Sequence, residues 1–126
     1  MGFLIDTSAL IDVIINRQGS KAIRSFVQDK EFFISAITVY ELNKASTLDP
    51  QFEPLLLNSN ILNLTPEHAK QASKLFKKLK ETGSLANEMD IIIAGTAIQE
   101  DLILITKDRG FERMRDVVKE LKVQVF

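Results

Sequence analysis

Short apolar runs recur along the chain with helix-length stretches between them: Phe3-Leu4-Ile5, Phe32-Phe33-Ile34 and Leu102-Ile103-Leu104-Ile105 are uninterrupted, and Ile61-Leu62-Asn63-Leu64 is broken only by Asn63. No other feature restricts the fold as much. A strand that is apolar at consecutive positions is covered on both faces, and parallel strands need a long crossover between them, usually a helix. The pattern therefore predicts βαβ units and an α/β architecture with a mainly parallel sheet covered on both faces. A last strand is expected at Val123-Gln124-Val125.

The intervening stretches carry helix signals. Asp6-Thr7-Ser8 stops the first run and opens a helix, Ala9 to Ile15, that ends near Asn16 and Gly19. The next helix sets Ala22, Ile23, Phe26 and Val27 on one face and Lys21, Arg24 and Gln28 on the other. Ser35 to Ala45 forms a third, Asp49-Pro50 breaks the chain, and Phe52 to Leu57 makes a short helix. Thr65-Pro66-Glu67 joins an N-cap to a proline in the first turn and opens a long helix to about Glu81, punctuated by Gly83. Glu88 to Gln99 completes the set.

The chain has 126 residues, which suits one compact domain over residues 1–126, and no repeat or linker interrupts it. At 45% hydrophobic and 26% charged residues, it has the balance of a chain that folds around an aliphatic core. The absence of cysteine excludes disulfides and thiolate zinc sites. The longest apolar run, around Ile91–Ala94, is far short of the ~20 residues of a membrane span. No basic residue precedes the apolar stretch at the N-terminus, so a signal peptide is not expected, and the reading is a cytoplasmic protein with no membrane partner. A net charge of −1 is silent on nucleic-acid binding.

The informative residues are acids in apolar company. Seventeen acidic residues are present, most of them among other polar groups, but four border apolar segments. Asp6 ends FLID, Glu41 sits in AITVYEL, Asp90 begins DIIIAG, and Asp108 follows LILITK. Desolvating a carboxylate there is costly without a partner. Asp6 and Asp108 fall just past strand ends, Glu41 lies about two turns into its helix, and Asp90 lies in a first turn. Ligands of open parallel sheets sit beyond the carboxyl ends of the strands, so all four are expected in one cleft.

Clustered carboxylates repel one another unless they are protonated or bind cations. Lys44 and Lys107 are the only lysines near these motifs in sequence, so a hard divalent ion, Mg²⁺ or Mn²⁺, is the better match. Such a site activates water and stabilises charge on a phosphodiester. Thr7, Ser8 and Thr106 add hydroxyls suited to orienting a carboxylate, a water or a phosphate oxygen. Each acid also has an ordinary explanation. Asp6 can cap the following helix, Asp90 can complement a helix dipole, Glu41 can pair with Lys44, and Asp108 can be a turn residue. Asp12 is expected at the surface or rim, and Glu88 on another side of its helix from Asp90.

Four motifs in order resemble the PIN-domain family: DTSALID (Asp6–Asp12), SAITVYEL (Ser35–Leu42), GSLANEMDIIIAGTA (Gly83–Ala97) and LILITKDRGFERM (Leu102–Met114). The nearest branch is the VapC-type toxins of prokaryotic toxin–antitoxin pairs. The resemblance implies a three-layer α/β/α fold and a Mg²⁺- or Mn²⁺-dependent endoribonuclease in which water attacks phosphorus in line. It sets Asp6, Glu41, Asp90 and Asp108 on the family's acidic positions, and Ser8 and Thr106 on its hydroxyl positions. It also implies an RNA substrate, a homodimer, and inhibition by a small antitoxin whose C-terminal segment enters the cleft. One departure stands out: relatives often carry an acid directly before the position of Phe111, where this chain has Gly110.

Other features carry less. Lys70, Lys74 and Lys77, with Lys78 and Lys80 nearby, form either a solvated helix face or a stripe for RNA phosphates. Arg109, Arg113 and Arg115 lie closer to the acids and are the better candidates for phosphate contacts. His68 is expected to be exposed and no ligand, and Tyr40 and the eight phenylalanines to belong to the core. A receiver domain of a signalling relay needs an acid after the third strand, where Asn63-Leu64-Thr65-Pro66 has none. A dehalogenase-type phosphatase needs an acid where Ser8 stands. A PIN-like domain that binds without cleaving, and an RNA-processing nuclease without an antitoxin, stay beside the toxin reading.

Overall fold

Phe3, Leu4 and Ile5 are all buried because the strand they form lies at the centre of a sheet with helices on either face. The computed structural model of the chain describes residues 2–15, 20–44 and 60–126. The expected break at Asp49-Pro50 and the short helix from Phe52 to Leu57 lie outside the described residues, as do Asn16, Gly19 and Ala45. In chain order the elements are β1 (Phe3–Ile5), α1 (Thr7–Ile15), α2 (Ser20–Val27), β2 (Phe32–Ser35) and α3 (Ala36–Lys44). Then come β3 (Asn60–Leu62), α4 (Pro66–Glu81), α5 (Glu88–Gln99), β4 (Ile103–Thr106), α6 (Gly110–Val117) and β5 (Lys122–Val125).

The strands run in the order β3-β2-β1-β4-β5, every neighbouring pair parallel. Leu4 stands opposite Phe33 and Leu104, and Ile5 opposite Ile34 and Ile105. Side chains alternate across a strand, so these rows feed two separate cores. Leu4 and Leu104 pack with Ala72, Leu75 and Leu79 of α4, Ile91 and Ala94 of α5, and Phe111 and Met114 of α6. Phe3, Ile5, Ile34 and Ile105 pack with Ala9 and Leu10 of α1, Ile23 of α2 and Leu42 of α3. The result is the expected three-layer α/β/α arrangement.

Several sequence expectations shift. Strand β4 ends one residue later than expected, making Thr106 its last residue. Strand β3 stops at Leu62 instead of Leu64, because among the described residues it pairs with β2 alone and their register closes at Ser35 opposite Leu62. In α2, Ile23 is buried but Ala22 is exposed, while Phe26 sits edge-on to Phe3 and Phe126 with ring centroids 5.2 and 5.4 Å away. Tyr40 is not a core residue: α3 turns Thr38 and Leu42 inward, so the position between them faces out and is half-exposed. Helix α6 was not anticipated at all, though Phe111 and Met114, three apart and both buried, mark its inner face.

His68 reverses its expectation most clearly. It is 1% exposed, and it closes a reciprocal cap with Thr65. The Thr65 hydroxyl oxygen accepts from the His68 N–H at 3.2 Å, and the ring Nδ1 accepts from the Thr65 N–H at 3.2 Å. An accepting Nδ1 fixes the neutral tautomer with its proton on Nε2, which donates to Glu100 Oε1 at 2.7 Å. The ring thereby ties the start of α4 to the end of α5. Between the same helices, a Cβ on Gly95 would come within 2.6 Å of the Ala72 amide nitrogen, so the two backbones meet where only glycine fits.

Candidate active site

Strand β1 leads to β2 on one side, while β4 lies on its other side, and a sheet with that order opens a crevice at the carboxyl ends of its two middle strands. Asp6 follows β1 into this crevice. Its N–H donates to the Ile105 carbonyl at 3.0 Å, and its side chain, 4% exposed, is held from three directions. The Thr106 hydroxyl donates to Oδ2 at 2.6 Å, the Ser8 hydroxyl donates to Oδ1 at 2.9 Å, and the Ala9 N–H donates to Oδ1 at 2.9 Å. The last bond is a helix cap for α1. The structural and the functional reading of Asp6 therefore coexist in one side chain.

Asp6, Glu41, Asp90 and Asp108 line one cavity of about 260 Å³, with Thr7, Ser8, Ile11 and Ile93 completing its wall. No basic side chain belongs to that wall among the described residues. Glu41 does not turn to Lys44. Its Oε1 accepts from the Thr7 hydroxyl at 2.6 Å, which in turn lies 3.0 Å from the buried Thr38 hydroxyl, and the Lys44 ammonium sits over the Tyr40 ring instead. The Thr106 hydroxyl also accepts from the Asp108 N–H at 2.9 Å, so this one hydroxyl links the last acid of the cavity wall to the first.

The electrostatics follow from the geometry. Burial and then the charges of Asp108, Glu41 and Asp6 push the Asp90 carboxyl up to about 6. Burial also raises Asp6, helped by Asp108, against the opposing hydrogen bonds from Thr106, Ala9 and Ser8. Two acids that hold protons more tightly than usual, in a cavity without a cation of its own, mark a site with unmet demand for positive charge. Among the described residues no three acidic or imidazole side chains stand close enough, as placed, to clasp one ion between them.

Asp108 is also the turn residue its local sequence suggested. Its Oδ1 accepts from the Gly110 N–H at 2.8 Å at the start of α6. A Cβ at position 110 would lie 3.1 Å from that oxygen, so the glycine lets Asp108 curl back close to the helix. Of the three arginines expected to meet phosphates, Arg109, Arg113 and Arg115, only Arg113 borders the site. It lines a second cavity, of about 620 Å³, that shares Asp90 and Asp108 with the first and is bounded by Gly83 to Asn87. Arg109 pairs with Glu112 at 3.3 Å and Arg115 lies 4.0 Å from Asp116, and neither lines either cavity. Glu88 borders an apolar groove with Leu64 and Phe76, away from the acids.

Sequence reasoning missed the role of Asp12. It is 8% exposed instead of lying at the surface, because it stands four residues from Ser8 on the same face of α1. Its Oδ1 meets the Lys107 ammonium at 3.1 Å, and its Oδ2 is buried with no hydrogen-bond partner among the described residues. The Lys107 N–H donates to the Ser8 hydroxyl at 3.2 Å, so the loop after β4 is pinned to α1 at two points. The i, i+4 spacing of Ser8 and Asp12 was the available signal.

The chain resembles known proteins along most of its length. Ribonuclease VapC2 of Haemophilus influenzae is 31% identical over 121 residues, an alignment that takes in 89% of this chain and 91% of the relative. The fold superposes on VapBC2 from Rickettsia felis, solved bound to a DNA fragment from its promoter, with a TM-score of 0.83 at 16% identity over 100% of this chain and 99% of that one. VapBC-1 from nontypeable Haemophilus influenzae gives a TM-score of 0.79 at 22% identity over 99% and 98%. Residues 3–117 match the model of the PIN domain. With the sequence match, the shared fold and the acid-lined crevice in agreement, the chain belongs to the PIN-domain family, in its VapC branch.

Proposed function

We propose that this chain is a divalent-metal-dependent endoribonuclease and the toxin of a toxin–antitoxin pair. One observation carries the reading: four carboxylates, from the turns after β1 and β4 and from α3 and α5, line a single cavity with no basic side chain in its wall among the described residues. The names of the relatives, ribonucleases of the VapC type, support the substrate class. The solved neighbours, which are VapBC complexes, support an antitoxin partner. A homodimer and a cytoplasmic setting belong to the same reading. Among the described residues no helix is long and apolar enough to cross a membrane.

The donor set fits Mg²⁺ or Mn²⁺. It consists of oxygen alone, and Mg²⁺ is commonly held by one or two carboxylates and retained waters, so a closed three-residue clasp is not required. Asp6, Glu41, Asp90 and Asp108 are the residues that would hold it. When bound, such an ion supplies an activated water and counter-charge for the phosphodiester. The chain's own groups do the rest. Ser8 and Thr106 fix the Asp6 carboxylate, Thr7 fixes Glu41, and Arg113 stands at the border of the cavity to meet a phosphate.

The test is cleavage of a panel of RNAs with Mg²⁺, with Mn²⁺ and with a chelator, comparing wild type with Asp6→Asn. Cleavage that needs the ion and vanishes in the variant is the expected result. No cleavage with any divalent ion, or full activity in Asp6→Asn, overturns the reading.

A further inference from the structure

The acidic cavity does not end at Asp90 and Asp108. Those residues form its boundary with the cavity of about 620 Å³ that runs between α6 and the loop after α4. That second cavity in turn meets a third, of about 520 Å³, at Val117. Shared lining residues link the three in series, from the acids along α6 to Lys74 and Lys78 of α4. The charge changes along this path. Beyond the acids comes Arg113, and beyond Val117 come Lys74 and Lys78 of α4 and Lys119 of the turn into β5.

Lys74 and Lys78 stand four apart on α4, so both ammonium groups project over the same stretch of the path. Asp116 and Glu120 also line these two cavities, which leaves four cations against two acids outside the acidic cavity itself. The gradient is what a strand of phosphates requires. At the acidic end a phosphate needs an ion between itself and the protein, whereas further along the protein must supply the cations. An acidic peptide would gain nothing from starting at the carboxylates.

We propose that this groove seats the flank of a single-stranded RNA whose scissile phosphate lies at the acidic cavity, with Arg113, Lys78, Lys74 and Lys119 meeting successive phosphates. The inference rests on the ribonuclease reading above and adds a path and a polarity to it. It also separates the lysines of α4 into two groups. Lys70 and Lys77 are exposed on the same helix but do not line the groove.

The experiment measures RNA binding by fluorescence anisotropy in the cleavage-deficient Asp6→Asn background. Two single-stranded RNAs share one cleavable core: one spans about 4 nucleotides and ends before the phosphates that would meet Lys78 and Lys74, and the other spans about 20. Lys74→Glu/Lys78→Glu should weaken binding of the long RNA by roughly tenfold and flatten its log–log salt dependence by about 1.4, the value for two lost contacts to a single strand. The short RNA should bind as before. Lys70→Glu/Lys77→Glu, with the same change in charge, should leave both RNAs unaffected, and circular dichroism of both double variants confirms that α4 is intact. An equal effect of the two double variants, or none from Lys74→Glu/Lys78→Glu, overturns the proposal. So does loss of binding to a poly-glutamate peptide with RNA binding unchanged. If wild type cleaves both RNAs but the groove variant treats them alike, only the groove falls. If wild type cleaves neither, the ribonuclease reading falls first.

Discussion

The hydroxyl of Thr106 donates to Asp6 Oδ2 at 2.6 Å while accepting from the Asp108 N–H at 2.9 Å, so one side chain at the end of β4 orients two acids. Thr106 is completely buried, which removes water as a substitute partner. Thr106→Val keeps the shape and deletes both bonds. Leaving the Asp108 N–H without its acceptor and Asp6 without its shortest bond should cost about 1–3 kcal/mol of stability. It should also raise the Asp6 carboxyl further, because this bond is the largest influence holding it down. RNA cleavage should fall well below wild type at neutral pH and recover in part with Thr106→Ser. Wild-type activity in the valine variant would show that Asp6 needs no such support.

The acids predict how stability depends on pH. Asp90 titrates near 6 in the folded chain and near 3.8 unfolded, and Asp6 is also raised. The folded state therefore binds more protons than the unfolded state between those values. The stabilisation from this difference is complete below about 3.8 and is lost as pH rises through about 6. Without divalent ions, Tm should fall between pH 5 and pH 7.5 from these groups. Adding Mg²⁺ or Mn²⁺ should raise Tm more at pH 7.5 than at pH 5, where protons already occupy the carboxylates. An ion effect independent of pH would argue against binding at this cavity.

The pair of Lys107 and Asp12 offers a thermodynamic cycle. Lys107→Met strands a buried carboxylate and should destabilise by about 1–3 kcal/mol, a range kept low because the Lys107 side chain is about a third exposed. Asp12→Asn removes the charge, so the double variant should be more stable than Lys107→Met alone. Urea unfolding of the four proteins measures the coupling. Strict additivity would dismiss the latch between α1 and the loop after β4.

His68 and Gly95 test the seam between α4 and α5 without touching the acids. His68→Ala removes a cap bond and the link to Glu100 and should cost about 1–3 kcal/mol, with RNA cleavage per folded molecule unchanged. Gly95→Ala improves helix propensity, yet it drives a Cβ to within 2.6 Å of the Ala72 amide nitrogen. Overpacking should win, with a loss of about 1–3 kcal/mol. A stabilised Gly95→Ala would mean that the helices separate at little cost.

Much of the fold could be read from the sequence because consecutive apolar residues in β1, β2 and β4 admit few arrangements other than buried parallel strands. The acids were visible for a related reason: Asp6, Glu41, Asp90 and Asp108 border segments that exclude water. What escaped were features decided by packing partners far away in sequence. His68 looks like a surface residue until Glu100 arrives beside it, and Asp12 looks like a rim residue until Lys107 does. Tyr40 failed for the opposite reason, since an aromatic residue joins a core only if its helix turns that way. Helix α6 was hidden by the polar residues between Phe111 and Met114, and by a glycine at its first position.

The order of strands has a consequence for the chain as it is synthesised. The bond between Asp6 and Thr106 spans 100 residues, and those from Lys107 to Ser8 and Asp12 span 99 and 95. Until β4 has emerged, β1 has an open edge where half of its crevice should be, and Asp6 has neither Thr106 nor Asp108 beside it. The four-acid cavity therefore comes into being only once β4 has joined β1, about 100 residues after the first of its acids was made.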